Sequence, residues 1–301
     1  MDGGLIITFI SVAMFLGCFF LGFIPLLFRF SEKSLQFVSI LGAGLLCGTA
    51  LAVVIPEGVG LLEESWRASS SSSSSDVPSS LNASGKNPTP AESGPPHRFY
   101  IGVALTVGFT LMFVVDQIGG YFSTQAQRNS VGITATLGLV IHAAADGFAL
   151  GAAVATGQVT VQVIVFFAVI LHKAPAAFGL VSFLMHAGLE KKYIQGHLLA
   201  FSAAAPIVAI ATYFILHASG SSSQSQLSAT GVGMLFSAGT FLYVATVHVL
   251  PEISSGKTPS DPENNTEAEP HRQPHLGLLE SLTLILGVGL PMVLALGLHD
   301  D

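Results

Sequence analysis

Eight apolar runs, each long enough to cross a bilayer as a helix, dominate this sequence. A membrane-spanning helix needs about 20 consecutive apolar residues. In chain order, the runs are 5–28, 35–57, 100–120, 131–155, 159–185, 193–217, 227–250 and 276–298. Because a backbone inside lipid must satisfy its own hydrogen bonds, these runs predict an all-α polytopic membrane protein with eight transmembrane helices. The whole chain, 1–301, is then a single transmembrane domain.

The composition supports this class and argues against others. Half of the residues are hydrophobic and only 10% are charged, as is typical of polytopic membrane proteins. The net charge of −7 comes mostly from loops and tails, so no nucleic-acid partner is expected. Cys18 and Cys47 both lie in apolar runs, which gives no indication of a disulfide framework. The first run has no basic residue before it and is interpreted as a retained helix rather than a signal peptide.

The basic residues orient the predicted bundle. With the N-terminus outside, inner loops hold more Lys and Arg than outer loops, which predicts luminal or extracellular positions for both termini. The inner set is Arg29, Lys33, Arg128, Lys191, Lys192, Lys257 and Arg272, and the outer set is Arg67, Lys86 and Arg98. Outer loop 63–98 and inner loop 253–275 are rich in polar residues and are predicted to be disordered. The outer loop carries a glycosylation sequon at Asn82.

Two of the runs share a pattern. Gly48-Thr49 precedes Pro56-Glu57 in the second run, and Gly239-Thr240 precedes Pro251-Glu252 in the seventh. In an eight-helix count these runs cross the membrane in opposite directions. The pattern therefore predicts an inverted repeat, helices 1–3 against helices 6–8, around a central helix 4/5 pair, as in many secondary transporters. The alternative is chance recurrence of Gly, Thr and Pro in apolar helices.

The fourth and fifth runs carry four ionisable side chains deep in apolar sequence: His142, Asp146, His172 and Lys173. A charged group near the bilayer centre costs about 3 kcal/mol on insertion scales, so such residues usually mark a functional site. His142 and Asp146 are four residues apart, which places them on one face of a helix. At 1.5 Å per residue, His142 lies roughly 16 Å from the inner end of its helix, and His172 roughly 20 Å from the outer end of the next. Helices of about 36 Å then place both residues at one depth.

Two imidazoles and a carboxylate at one depth are suitable ligands for zinc, and also for iron or manganese. Three protein ligands leave a position open for water, which suits the passage of an ion better than permanent binding. The sequence therefore predicts a metal site at His142, Asp146 and His172. For each histidine alone, the alternative is a core residue that is hydrogen-bonded to a neighbouring helix.

Two motifs carry a resemblance to a known family. His142-Ala143-Ala144-Ala145-Asp146-Gly147 and His172-Lys173-Ala174-Pro175 resemble the paired metal-site motifs of helices four and five in the ZIP (Zrt-/Irt-like) metal transporters. The similarity extends over all eight runs and is greatest to subfamily I of that family. It implies that His142, Asp146 and His172 are metal ligands, that there is no permanent cofactor, and that zinc, or else manganese or iron, moves toward the cytoplasm.

The chain departs from the family pattern at Ala143, where many members have Asn, at Lys173, where they have a carboxylate, and at Ala176, where they often have Glu. Each change removes a ligand of a second metal position. Because an ammonium group repels a divalent ion, Lys173 is expected to occupy that position and to neutralise Asp146. One bound ion, not two, is predicted. The histidine-rich loop between helices three and four is also missing, since 121–130 contains no His.

Further polar residues are candidates for a transport path. Glu57 is predicted at the outer end of helix two, and Asp116, His248 and Glu252 toward the inner ends of helices three and seven. A series of oxygen and nitrogen ligands would let an ion lose its water in steps. The alternative is capping of helix ends at the interface.

Two other functional classes were weighed against transport. A membrane receptor for a lipophilic, steroid-like ligand would signal through inner loops, but these are short and lack a recognisable docking domain. An intramembrane metalloenzyme would need a pattern such as His-Glu-x-x-His or a nucleophilic serine elbow, and the sequence has neither. No enzymatic activity is therefore expected. The expected partners are zinc and the lipid bilayer, with a homodimer left open, and the expected location is Golgi or other secretory membranes or the plasma membrane.

Overall fold

The computed structural model describes residues 3–28, 32–73, 97–123, 129–186, 188–249 and 277–299. These ranges are helical throughout apart from short turns, and they contain no strand. Two short π-helical segments, Ala50–Val54 and Val244–Val249, follow α2 and α8. The nine α-helices of the described ranges are α1 (Gly3–Leu27), α2 (Glu32–Thr49), α3 (Ile55–Ser73), α4 (His97–Ser123), α5 (Asn129–Ala155), α6 (Val159–His186), α7 (Lys191–Ala218), α8 (Ser223–Tyr243) and α9 (Leu278–His299).

Long apolar helices account for the predicted spans. Within the described residues, seven helical stretches are long and apolar enough to cross a membrane, and the eighth run lies in α9 with a shorter apolar stretch, Leu278–Val293. The second of the seven, Gln36–Ser69, joins α2, the first π segment and most of α3. The prediction of an all-α polytopic membrane protein is therefore confirmed. Most helix ends lie within a few residues of the predicted ones.

The end of the second span is the largest difference from the predicted boundaries. We predicted a helix end at Glu57, but the helical stretch continues to Ser73. Glu57 therefore lies inside this stretch and not at its outer end, and residues 63–73 of the predicted outer loop are helical. The hydropathy of the sequence falls at Glu63, but contacts with α8 continue the helix beyond this residue. Ser228 in α8 donates a hydrogen bond to the Ser65 hydroxyl at 2.8 Å, and Leu61 and Leu62 are buried.

Residues 74–96 of the predicted outer loop and the whole predicted inner loop lie outside the described residues, as does Asn82, whereas residues 97 and 98 begin α4.

Glycines bring several pairs of helices into backbone contact. A Cβ atom at Gly147 or Gly151 in α5 would collide with the carbonyl oxygen of Ala205 or Ala209 in α7. Gly48 in α2 lies against Val288 of α9 in the same way, as do other glycines of α4 and α8 against each other. Small residues let membrane helices approach closely, which gains van der Waals contacts along the backbone. α5 is thereby held against α7, with α6 and α8 also packed against it.

A proline accompanies the first π segment. The N–H of Ile55 donates to the carbonyl of Ala50, five residues earlier, which is a π-helical bond. Pro56 follows and has no N–H to donate. A local π turn is one way for a helix to absorb that loss, and such turns occur often at functional sites. The second π segment, Val244–Val249, also follows a Gly-Thr pair, Gly239-Thr240.

Candidate functional site

α5 and α6 bring three of the predicted ligands together in the centre of the bundle. One ligand atom each from His142, Asp146 and His172 lies within 4.8 Å of the others, and all three side chains are buried. This is the only such group of three or more His, Cys, Asp or Glu side chains within the described ranges. The convergence predicted from helix depth is therefore confirmed. The role of the three residues as metal ligands stays a prediction.

Asp146 is the centre of the cluster. Its Oδ2 atom lies 3.0 Å from His172 Nε2, 3.5 Å from His142 Nε2 and 3.4 Å from Lys173 Nζ. Its Oδ1 atom accepts a hydrogen bond from the hydroxyl of Ser237 in α8. Asp146 is only 2% exposed. One carboxylate oxygen thus faces two imidazoles and an ammonium group, while the other is bound to a neighbouring helix.

The outer nitrogens of both imidazoles are held by acceptors. His172 Nδ1 lies 2.7 Å from the Ala168 carbonyl oxygen, which can only accept, so Nδ1 carries the proton. His142 Nδ1 lies 2.9 Å from Thr240 Oγ1, which donates its own proton to the Ser237 carbonyl, and 3.4 Å from Ser237 Oγ. In their neutral forms, both rings then present a lone pair at Nε2 toward Asp146 Oδ2. His142 Nε2 is buried and has no hydrogen-bond partner.

The two imidazole Nε2 atoms and Asp146 Oδ2 all direct lone pairs toward one another, so this arrangement requires a positive charge nearby. Lys173 supplies one charge: it is 1% exposed, its Nζ lies 3.4 Å from Asp146 Oδ2, and it also lies 5.4 Å from the centre of the Phe201 ring. The predicted pairing of Lys173 with Asp146 is therefore present. Ala143 and Ala176, where the sequence departs from the pattern that it resembles, are buried in the apolar core. The replacement of a second metal ion by Lys173 stays a prediction.

An aromatic residue of α8 covers the cluster. The ring of Phe241 lies 4.9 Å from the His142 ring and 5.1 Å from the His172 ring, measured between centroids. Phe241 is itself buried. It places an apolar ring beside both imidazoles.

The candidate path residues lie elsewhere. Asp116 in α4 accepts a hydrogen bond from the Tyr243 hydroxyl at 2.9 Å, and Tyr243 follows Thr240 by one helical turn. Glu57 is half-buried and precedes Gly58, which lies against Leu235 of α8. His248 belongs to the second π segment, but its side chain, like all of Glu252, lies outside the described part of the chain. Neither Glu57 nor Asp116 belongs to the central cluster.

Sequence reasoning missed the contribution of α8. Ser237, Thr240 and Phe241 all contact the cluster, and all three are buried. A signal was available, since Ser237 and Thr240 are three residues apart and thus share a helix face within an otherwise small and apolar run. Hydroxyl groups on such a face hydrogen-bond across helices in membrane proteins. In the sequence, Thr240 stands out only as part of the predicted repeat.

The chemistry of the cluster is that of a site for a divalent cation. Neutral imidazole nitrogens and a carboxylate oxygen are the ligands of zinc in many proteins, and three of them leave room for a fourth ligand. A buried carboxylate is costly without a cation beside it, and Lys173 is the cation that the structure shows.

Comparisons with known proteins agree with this chemistry. A family model described as ZIP Zinc transporter matches residues 4–131 and 123–295. The chain is 49% identical to zinc transporter ZIP9 of Xenopus tropicalis over 310 residues, which covers 99% of each protein. It is 48% identical to zinc transporter ZIP9 of Micropogonias undulatus over 317 residues, covering 99% of this chain and 100% of the relative. A third relative, zinc transporter ZIP9 of Macaca fascicularis, is 55% identical over 161 residues, 54% of this chain and 66% of the relative.

Proposed function

This chain belongs to the ZIP zinc transporter family, and from that premise we propose that it moves zinc across a membrane toward the cytoplasm through the cluster of His142, Asp146 and His172. One observation carries the assignment of the site: two imidazole Nε2 atoms and one carboxylate oxygen meet at one buried point. Zinc is the substrate here and not a resident cofactor. Manganese and iron, which accept the same ligands, are the competitors to test.

The test is zinc uptake by proteoliposomes that contain the purified protein. His142→Ala, Asp146→Ala and His172→Ala each remove one of three ligands, so each should lower zinc uptake by about tenfold or more. His217→Ala is the matched control, because His217 is an exposed histidine near the end of α7. All four variants should purify as the parent does. Uptake at the parent rate in the three cluster variants would reject the site.

Lys173 sets the number of ions in this proposal. Its ammonium group already neutralises Asp146 at 3.4 Å, so the cluster should bind one zinc ion per chain. Lys173→Asp replaces the charge with an oxygen ligand and should admit a second ion that leaves more slowly, since rapid conduction needs weak sites. Elemental analysis of the purified protein measures the bound zinc per chain. Two ions in the parent protein would refute the role of Lys173.

The distribution of basic residues between the loops determines the proposed orientation of the helices in the membrane. We propose that both termini face the lumen or the outside, with Golgi or other secretory membranes or the plasma membrane as the location. Lys191, at the start of α7, donates to the carbonyl of Leu26 near the end of α1, so these two ends lie together. The basic residues near them support the inner side for both. A tag after Asp301 should be accessible from the outer side of the intact membrane, and a tag near Lys257 should not.

The predicted inverted repeat is part of the same proposal. If helices 1–3 repeat as helices 6–8, the close pair α2–α9, which joins spans two and eight, should correspond to the pair α8–α4, which joins spans seven and three. Backbone contact at glycines is present in both pairs, through Gly48 and Gly239. Both glycines belong to the shared Gly-Thr motif. The receptor alternative gains no support from the part of the chain described here.

A further inference from the structure

α8 contributes two hydroxyl groups to the cluster, and neither was predicted to act there. Ser237 and Thr240 are 2% and 0% exposed, and both face the helix that carries His142 and Asp146. A serine or threonine hydroxyl has one proton to donate and two lone pairs with which to accept. The partners of each hydroxyl therefore decide which atoms of the neighbouring side chains stay available for an ion.

The proton of the Thr240 hydroxyl is already committed. Thr240 Oγ1 donates to the backbone carbonyl of Ser237 at 2.6 Å, and a carbonyl oxygen can only accept. Toward His142, Thr240 can therefore only accept, so the proton of the neutral imidazole must lie on Nδ1, 2.9 Å away. The opposite atom, Nε2, keeps its lone pair. This is the buried nitrogen that has no hydrogen-bond partner and faces Asp146.

Ser237 acts on the carboxylate in a similar way. Its hydroxyl donates to Asp146 Oδ1, whereas His142, His172 and Lys173 all approach Oδ2. The carboxylate is thereby held with one oxygen toward α8 and the other toward the point where the imidazole nitrogens meet. Hydrogen bonds of this kind behind metal ligands commonly fix ligand orientation and tautomer.

We propose that Thr240 and Ser237 are positioning residues of the zinc site: Thr240 fixes the tautomer of His142 that leaves Nε2 free for the ion, and Ser237 directs Asp146 Oδ2 toward the same point. This inference rests on the proposed function, because it assumes that the ion binds at His142, Asp146 and His172. It adds α8 to the site. It also predicts effects that differ from those of removing a ligand.

Thr240→Val tests the tautomer, since valine has the same shape but no acceptor. Without Thr240 Oγ1, Nδ1 keeps only the long contact with Ser237 Oγ at 3.4 Å, so the proton of His142 should move to Nε2, where it can be donated to Asp146 Oδ2. His142 Nε2 and Asp146 Oδ2 then form a hydrogen bond with each other, and neither is available to the ion. The apparent KM for zinc uptake should rise by about tenfold, in the range usual for such supporting hydrogen bonds, with little change in maximal rate. Thr240→Ser keeps the hydroxyl and should restore the parent KM.

The tautomer is measured directly by two-bond ¹H–¹⁵N correlation spectra of the metal-free protein at alkaline pH. The His142 signals are assigned from a His142→Gln sample. In the parent and in Thr240→Ser, Nδ1 should be the protonated nitrogen, and in Thr240→Val it should be Nε2. A threonine with only a packing role would leave this spectrum unchanged. If the valine variant does not accumulate, Thr240→Ala removes the same acceptor in a smaller side chain.

Ser237→Ala tests the second half of the proposal and should also raise the KM for zinc by about tenfold. Ser228→Ala is its matched control: Ser228 lies on the same helix and donates across to Ser65 at 2.8 Å, away from the cluster. Its KM should equal that of the parent. Parent-like KM values and spectra in Thr240→Val and Ser237→Ala, with His142→Ala inactive, would overturn this inference and leave the proposed function intact. Full activity in His142→Ala would instead overturn the proposed function.

Discussion

α4 and α5 are two helices of 27 residues with similar apolar composition, and each carries a single aspartate. Their surroundings differ. α4 exposes large side chains such as Phe99, Val107 and Phe113, as expected of a helix that faces lipid on one side. α5 presents mainly alanine and glycine to its neighbours and is buried along most of its length. Small side chains, more than hydropathy, separate the central helix from the peripheral one.

The two aspartates differ in burial in the same way as the helices that carry them. Asp146 on α5 is 2% exposed and contacts groups from α6 and α8 as well as His142 on its own helix. Asp116 on α4 is half-buried and accepts from the Tyr243 hydroxyl. An acidic residue in an apolar run is therefore not enough to mark the proposed ion site. The number of helices that can reach it decides whether a multidentate site forms.

The largest expected effect is the difference between Asp146→Asn and Asp116→Asn. Asparagine keeps the shape of aspartate but removes the negative charge that the divalent ion needs, so Asp146→Asn should lower zinc uptake by about tenfold or more. Asp116→Asn should keep its contact with Tyr243, since an amide oxygen also accepts, and should lower uptake by about threefold at most. Proteoliposome uptake at saturating zinc measures both.

A loss in Asp116→Asn as large as that in Asp146→Asn would remove the distinction between the two aspartates. It would place Asp116 among the residues that bind the ion directly. Equal protein yield and equal size-exclusion profiles of the two variants are required for the comparison, because an unfolded variant would also lose uptake.

The sequence predicts the helices and the central cluster, but not every helix end or every residue that contacts the cluster. Hydropathy located the helices because lipid imposes a fixed span length, and helical spacing placed His142 and Asp146 on one face. Helix depth then brought His172 to the same level. The second span was misjudged because buried contacts of Ser65 with α8 continue a helix beyond its apolar part. Ser237 and Thr240 were missed because hydroxyl groups cost little in an apolar helix and carry no hydropathy signal.

A second prediction uses glycines of the same two helices. Gly151 in α5 lies against the backbone of α7, whereas Gly102 in α4 has no atom within 4 Å of an added Cβ. Gly151→Val should therefore force α5 and α7 apart and destabilise the protein by about 1–3 kcal/mol or more, as overpacking does. Gly102→Val should be neutral. To measure the difference, detergent-solubilised protein is heated and then run on a size-exclusion column. The temperature at which half of the peak is lost is compared between the two variants. Equal temperatures for the two variants would contradict the central position of α5.

The smallest expected effect concerns Tyr243, which joins α8 to α4 by donating to Asp116 at 2.9 Å. Tyr243→Phe removes this hydrogen bond but keeps the ring, which lies 5.2 Å from Phe109 and 6.3 Å from Phe113. The free energy of unfolding should fall by only about 0.5–1.5 kcal/mol, the usual net value of one hydrogen bond. Zinc uptake should stay within about twofold of the parent, because the cluster keeps all its partners. Tyr193→Phe is the control, since Tyr193 is 64% exposed. A tenfold or larger loss of uptake in Tyr243→Phe alone, on the order of a lost ligand, would mean that α4 takes part in ion passage as α5 does.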